Sequence, residues 1–192
     1  MQNRKILLVG VGGQGTILAS KILAWIALEQ GKDVKMSEIH GMAQRGGTVT
    51  TQICVAEKVA SPVIEPGEAD TLLSFEILEA KRSLHFLQRG GLLVVSDQRL
   101  LPMSVITGAS SYPEDIIESL QQHTTNLRII PALQRAIELG NPRVANVVLL
   151  GSLSTLWSDI TAEVWDKALL ANVPSRFLDL NREAFLAGQR LG

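Results

Sequence analysis

Residues 6–15 constrain this chain more than any other stretch. Ile6-Leu7-Leu8-Val9 runs into Gly10-Val11-Gly12-Gly13-Gln14-Gly15, and a long apolar segment begins at Thr16. An apolar strand, a glycine turn and a helix in that order place bare backbone N–H groups at a helix N-terminus. Such groups and the helix dipole together favour a phosphate or another anion. Gly10, Gly12 and Gly15 satisfy the G-x-G-x-x-G spacing of a nucleotide-binding turn in the context that pattern requires. The pattern does not name the ligand, and a tight turn serving only helix–sheet packing is the competing reading.

Further along, strands alternate with helices. Ile17, Leu18, Ile22, Leu23, Trp25 and Ile26 stud a helix that is apolar nearly all round and should be buried; Gly31 ends it. Short strands are expected at Asp33–Met36, Asp70–Phe75, Leu92–Val95 and Leu127–Ile130. Thr48–Val55 reads as another strand, in a hairpin with Lys58–Val63. A helix is expected over Glu76–Gln88, stopped by Gly90-Gly91, with Glu76 and Glu79 as surface charges that complement its dipole. Pro113-Glu114-Asp115 opens another helix, and a further one follows Ile130 through Leu139. Val144–Trp157, Thr161–Ala171 and Asn181–Leu191 make a helical C-terminal third. The expected fold is therefore α/β: a single Rossmann-like domain over residues 1–192, three layers, a mostly parallel sheet, and a β-hairpin insertion at Thr48–Val63.

Composition narrows the function. The chain has 192 residues, 46% hydrophobic and 19% charged, with a net charge of -1, as expected of a compact globular protein. No basic face is evident, which argues against nucleic-acid binding. The longest charge-free apolar stretch, Val144–Ser158, is shorter than the roughly 18–20 residues a bilayer span needs. Asn3-Arg4-Lys5 before Ile6–Val9 mimics a secretory signal, but the apolar run is short and leads into a glycine turn, so it reads as a strand. With Cys54 as the single cysteine, no intrachain disulfide can form, and the cytoplasm is the expected location. One thiolate also cannot ligate an iron–sulfur cluster. His40, His85 and His123 lack metal-ligand spacing, and neither a G-x-S-x-G elbow nor a P-loop lysine is present.

A second dense constellation is Ser37-Glu38-Ile39-His40-Gly41-Met42-Ala43-Gln44-Arg45-Gly46-Gly47. It is expected to leave the C-terminal end of the second strand, so that it and the glycine turn share one crevice. Arg45 offers a five-donor fork for a carboxylate or phosphate, His40 and Gln44 offer hydrogen bonds, and Gly46-Gly47 permits close backbone approach. The competing readings are a subunit-interface salt bridge for Arg45 and a loop-orienting role for His40. Glu38, near the strand end, could bind ribose hydroxyls, which keeps a stand-alone NAD- or ATP-binding Rossmann protein in view. The candidate cofactor-binding residues are Gly10, Gly12, Gly13, Gln14, Gly15, Thr16, His40, Gln44, Arg45, Gly46 and Gly47, with no catalytic residue or metal ligand assigned.

These stretches together resemble one family. Gly10–Thr16, Glu38–Gly47, Ser61-Pro62-Val63-Ile64, Gly67-Glu68-Ala69-Asp70, Phe75-Glu76-Ile77-Leu78-Glu79-Ala80 and Asn146–Gly151 occur in its order. The pattern resembles the gamma-type subunit of 2-oxoacid:ferredoxin oxidoreductases, and the His40–Gly47 form is most similar to the indolepyruvate branch. The resemblance implies a chemistry in which thiamine diphosphate attacks the 2-oxo carbon and carbon dioxide leaves. Electrons then pass through iron–sulfur clusters to ferredoxin, and coenzyme A takes the acyl group. The chain lacks the Gly-Asp-Gly motif typical of thiamine diphosphate sites. The resemblance therefore implies a larger partner subunit that carries thiamine diphosphate and the clusters. This chain alone would bind no cofactor but would help form the site for 2-oxoacid and coenzyme A. Whether isolated copies form a homodimer through the partner's surface is left open. Against this stand a self-sufficient NAD-dependent dehydrogenase, an E1-like adenylating enzyme and a nucleotide-sensing module.

Overall fold

The computed structural model describes residues 1–41 and 47–192. Six strands form one sheet: β1 (Arg4–Val11), β2 (Asp33–His40), β3 (Thr48–Ala56), β4 (Ala69–Ser74), β5 (Leu87–Ser96) and β6 (Leu127–Ile130), in the order β2-β3-β1-β4-β5-β6. β1, β4, β5 and β6 pair in parallel, whereas β3 runs antiparallel to both β1 and β2. The sheet is thus mostly parallel in strand direction, with β3 reversed.

Helices cover both faces, which is why the central strands read as unbroken apolar runs. Alternate side chains of β1 go to opposite layers: Ile6 and Leu8 to one, Leu7 and Val9 to the other, all fully buried. The first layer holds α1 (Thr16–Glu29), α5 (Ala132–Glu138), α6 (Ala145–Ser154), α7 (Ala162–Asn172) and α8 (Leu178–Gln189). The second holds α2 (Ile77–Ser83), α4 (Ile116–His123) and the segment that links β3 to β4. A one-turn helix, α3 (Met103–Ile106), lies in the excursion after β5. Arg4 clamps the start of β1 to the C-terminal third: its guanidinium makes two bonds to Asp159, at 3.0 and 2.6 Å, and lies 4.3 Å over Trp157. Among the described residues no helix is long and apolar enough to cross a membrane.

Several elements differ from the sequence reading, each for a physical reason. The hairpin joins β3 to β2, not to Lys58–Val63. β3 has β1 on one edge and β2 on the other, so no edge is free for a third partner. In residues 58–64 three N–H groups instead go to side chains: Val59 N donates to Asp33 Oδ2 at 2.7 Å, Val63 N to Ser61 Oγ at 3.2 Å and Ile64 N to Gln52 Oε1 at 2.7 Å. The second strand extends to His40, so Ser37–His40 lie within the strand rather than in a loop after it. α2 stops at Ser83, and Gly90-Gly91 fall inside β5, where the β4–β5 register shifts. Glu76 and Glu79 are buried, at 1% and 3% exposure, rather than surface charges.

Candidate functional site

The parallel strands β1, β4 and β5 all end at one edge, where open α/β sheets bind ligands. A cleft of about 170 Å³ opens there, lined among others by Gln14, Phe75, Ser96, Gln98, Arg143 and Asn146. The glycine turn forms one wall. Gly15 has φ +82°, a conformation L side chains rarely adopt, and it stands at the N-cap of α1 with no side-chain cap. The first-turn amides of α1 therefore have no side-chain partner at the cap, which suits an anion.

Gln14 organises the turn. Its Oε1 accepts from Val11 N at 2.7 Å, and its Nε2 donates to Phe75 O and to Gln98 Oε1, each at 2.9 Å. One side-chain amide so joins the ends of β1, β4 and β5. Gly10 leaves room for it: a Cβ there would stand 2.8 Å from Gln14 Oε1 and 3.0 Å from Phe75 Cβ. Asn146 closes the opposite wall, donating to Gly15 O at 3.1 Å while its Oδ1 accepts from Val147 N at 2.9 Å.

The two constellations meet. Gly12 N donates to Gly47 O at 2.9 Å, and Val11 pairs with Thr48 across the β1–β3 ladder. Gly10, Gly12, Gly13, Gln14, Gly15, Thr16 and Gly47 are thereby brought to one place. Gln44, Arg45 and Gly46 lie outside the described residues. His40 is not at the turn. It ends β2, is exposed, and its Nε2 lies 3.7 Å from Glu38 Oε2. Because β3 is inserted between them, β2 is two strand spacings, roughly 10 Å, from β1. Glu38 consequently stands one strand further from the turn than the ribose-binding acid of a dinucleotide site, whose second strand lies next to the first.

Phe75, Ser96, Gln98 and Arg143 line the cleft without having been singled out as ligand contacts. For Ser96 and Gln98 the signal was present, since each lies at or just beyond the C-terminal end of an apolar strand. Asn146 opens the Asn146–Gly151 stretch already noted. Arg143 had no local signal: it sits in a short turn, Pro142–Val144, and the packing of that turn on α5, α6 and α8 carries it to the crevice. The single thiol, Cys54, is buried on β3 with its Sγ 3.4 Å from Pro62 O, and burial raises its pKa, which does not suit a cluster ligand.

A model of the pyruvate ferredoxin/flavodoxin oxidoreductase family matches residues 5–191. The chain belongs to that family. Among relatives, it is 35% identical to indolepyruvate oxidoreductase subunit IorB of Pyrococcus horikoshii over 192 residues, covering 98% of this chain and 95% of the relative. Among solved structures, it is similar to the gamma subunit of a keto/oxoacid ferredoxin oxidoreductase from Geobacter sulfurreducens. That likeness has a TM-score of 0.69 and 27% identity and covers 97% and 96% of the two chains. It also matches, at TM-score 0.72 and 22% identity, a 2-oxoglutarate:ferredoxin oxidoreductase from Magnetococcus marinus with 2-oxoglutarate, coenzyme A and succinyl-CoA bound. That last likeness is one of fold: this chain covers 31% of the Magnetococcus chain, so the same fold also occurs as part of a longer polypeptide. The chain is thus a gamma-type subunit of a 2-oxoacid:ferredoxin oxidoreductase, and a stand-alone nucleotide-binding protein is not favoured.

Proposed function

We propose that this chain is the small subunit of an indolepyruvate:ferredoxin oxidoreductase and lends the crevice at its strand ends to an active site shared with a larger subunit. The observation that carries the reading is the convergence of the glycine turn with the segment that reaches Gly47, next to an uncapped helix N-terminus. On this reading thiamine diphosphate and iron–sulfur clusters reside on the larger subunit and supply decarboxylation and electron transfer to ferredoxin. A single buried cysteine fits that division of labour.

This chain's own part is to hold an anion. The α1 amides, Arg143 and Arg45 together suit a phosphate of coenzyme A or the carboxylate of the 2-oxoacid, while Gln14 and Asn146, whose amides are committed to the fold, keep the turn in shape. Domain organisation follows as one unit over residues 1–192. A reducing cytoplasm suits both the lone thiol and the cluster chemistry. A homodimer of the isolated chain would use the surface meant for the larger subunit.

The test is anaerobic co-purification of the tagged chain from its own cells, followed by kinetics. A brown complex with a larger, cysteine-rich partner that oxidises indolepyruvate supports the reading. In that complex Arg45→Ala and Arg143→Ala should each raise the KM for coenzyme A or indolepyruvate by about 10- to 100-fold, since a charge-assisted bond contributes roughly 1.5–3 kcal/mol. A colourless chain that purifies alone and binds NADH or ATP overturns it.

A further inference from the structure

Glu76 is the first residue of the β4–α2 connection that the site does not yet account for. It is 1% exposed, and its two carboxylate oxygens serve different parts of the chain. Oε2 accepts from Glu79 N at 2.8 Å and so caps α2. Oε1 accepts from Leu100 N at 3.0 Å, and the Tyr112 hydroxyl is 3.5 Å from the same oxygen. Leu100 and Tyr112 both belong to the excursion after β5, residues 97–112. Backbone joins the same place, with Ile77 N donating to Gln98 O at 3.0 Å. Gln98 in turn is the cleft residue that accepts from Gln14 Nε2.

A helix that needed a cap alone would be served by Ser, Thr, Asp or Asn, whose short side chains reach the N2 or N3 amide. Glu is one methylene longer, and here the extra reach lets one oxygen cap α2 while the other holds Leu100. The arrangement is costly: burial raises the Glu76 pKa even though the Leu100, Glu79 and Leu78 N–H groups oppose that shift. Apart from Glu76, the excursion is tied at its ends, by Asp97 N to Ile130 O at 3.0 Å, by the bonds to Gln98 and by Tyr112 packed on the second layer. α3 is a single turn, and Leu101, Met103 and Ile106 point their apolar side chains into solvent. Arg99 contributes a guanidinium 6.0 Å over the Tyr112 ring.

We propose that Glu76 is a positioning residue for the crevice: it clamps residues 97–100 to the start of α2 and thereby holds Gln98 against Gln14 in the cleft wall. The proposal rests on the reading that this cleft faces the shared active site.

The test uses Glu76→Asp, which keeps the charge and a preferred cap but shortens the reach to Leu100. A second variant, Leu100→Pro, removes the N–H that Glu76 accepts and leaves Glu76 in place. In the full-length chain, amide exchange over residues 97–106 should quicken about 10-fold in both variants, with β1 and β4 unchanged. In the assembled enzyme both should raise the KM for coenzyme A or indolepyruvate roughly 5- to 10-fold with kcat within twofold, the effect of about one lost hydrogen bond. Unchanged exchange over 97–106 in both variants overturns the clamp. Faster exchange with both kinetic constants unchanged overturns the positioning role, because the loosened wall then does not face substrate. If the wild-type assembly has no oxoacid oxidoreductase activity, the function reading fails, and the exchange result alone still decides whether Glu76 holds the segment.

Discussion

Asn146, at the start of α6, donates its side-chain amide to the carbonyl oxygen of Gly15, 131 residues earlier in the chain. This bond fixes the glycine turn against a buried helix, and the geometry leaves no slack. A Cβ on Gly15 would stand 3.0 Å from Asn146 Cγ and closer still to the amide nitrogen, at a φ of +82°. Gly15→Ala combines left-handed strain with that collision and should destabilise the chain by about 2–3 kcal/mol in urea unfolding. Asn146→Ala relieves the collision, so the double variant should cost less than the two single changes added together. Strict additivity would refute the coupling.

Gln14 makes a similar prediction with a different signature. Its amide satisfies Val11 N and Phe75 O at the ends of two strands. Gln14→Leu keeps the bulk but strands both backbone groups beside the cleft, at an expected cost of about 2 kcal/mol, read as a lower urea midpoint with unchanged m-value. A loss below about 0.5 kcal/mol would mean that water or another group satisfies them.

The crossing of α6 and α8 depends on two glycines. A Cβ on Gly151 would fall on the Phe185 carbonyl oxygen, and one on Gly188 would fall on the Val148 carbonyl oxygen, both well inside van der Waals contact. Neither obstacle is a flexible side-chain tip, so the helices must move apart. Gly151→Ala and Gly188→Ala should each cost at least about 3 kcal/mol or abolish folding, as overpacking against backbone does. Gly140→Ala is the control. It has φ +87° but nothing within 4 Å of the added methyl, so only the backbone strain of about 1–2 kcal/mol should appear.

The Arg4–Asp159 pair predicts a pH dependence. The bidentate Arg4 guanidinium, with the Gln2 N–H, lowers the Asp159 pKa to about 2. A carboxylate with a depressed folded-state pKa contributes stability that is present above its ordinary value near 4. That stability is lost as pH falls through the folded value near 2. Thermal unfolding followed from pH 6 to 2.5 should show a fall in Tm that is shallower in Asp159→Asn, the remainder belonging to other ion-paired carboxylates such as Asp166 and Asp115. At pH 7 the same variant should lower Tm by a few degrees, since a charge-assisted bond at a partly exposed site is worth about 1–2 kcal/mol. Parallel pH profiles for the two proteins would dismiss the pair as a contributor.

Much of this architecture is readable in the sequence because it depends on local pattern. Ile6–Val9, Leu92–Val95 and the apolar helix at Ala145 are elements buried on nearly every side, which leads to a sheet with helices on both faces; the equally apolar helix at Thr16 is buried on one side only, with Ile17 and Leu28 exposed on the other. The glycine turn is legible for the same reason, since spacing and context lie within ten residues. The meeting of the turn with Gly47 has a different cause from the one the strand ends suggest: the end of β2 is a strand away, and Gly47 reaches Gly12 because β3 starts antiparallel beside the end of β1.

Pairing and burial of charge were decided elsewhere. Thr48–Val55 announces a strand, but its propensity is silent about partners. Only the whole sheet shows that β3 takes both edges, leaves 58–64 to side-chain bonds and sets Glu38 a strand away from the turn. Glu76 looks like any first-turn acid until the excursion after β5 folds over it, and Arg143 reaches the cleft only because the turn that carries it packs among α5, α6 and α8. Local sequence determines which segments are apolar and where the chain must turn. Which strand lies beside which, and which carboxylate ends up without water, depends on contacts between residues tens of positions apart, and these exist only once the layers have packed.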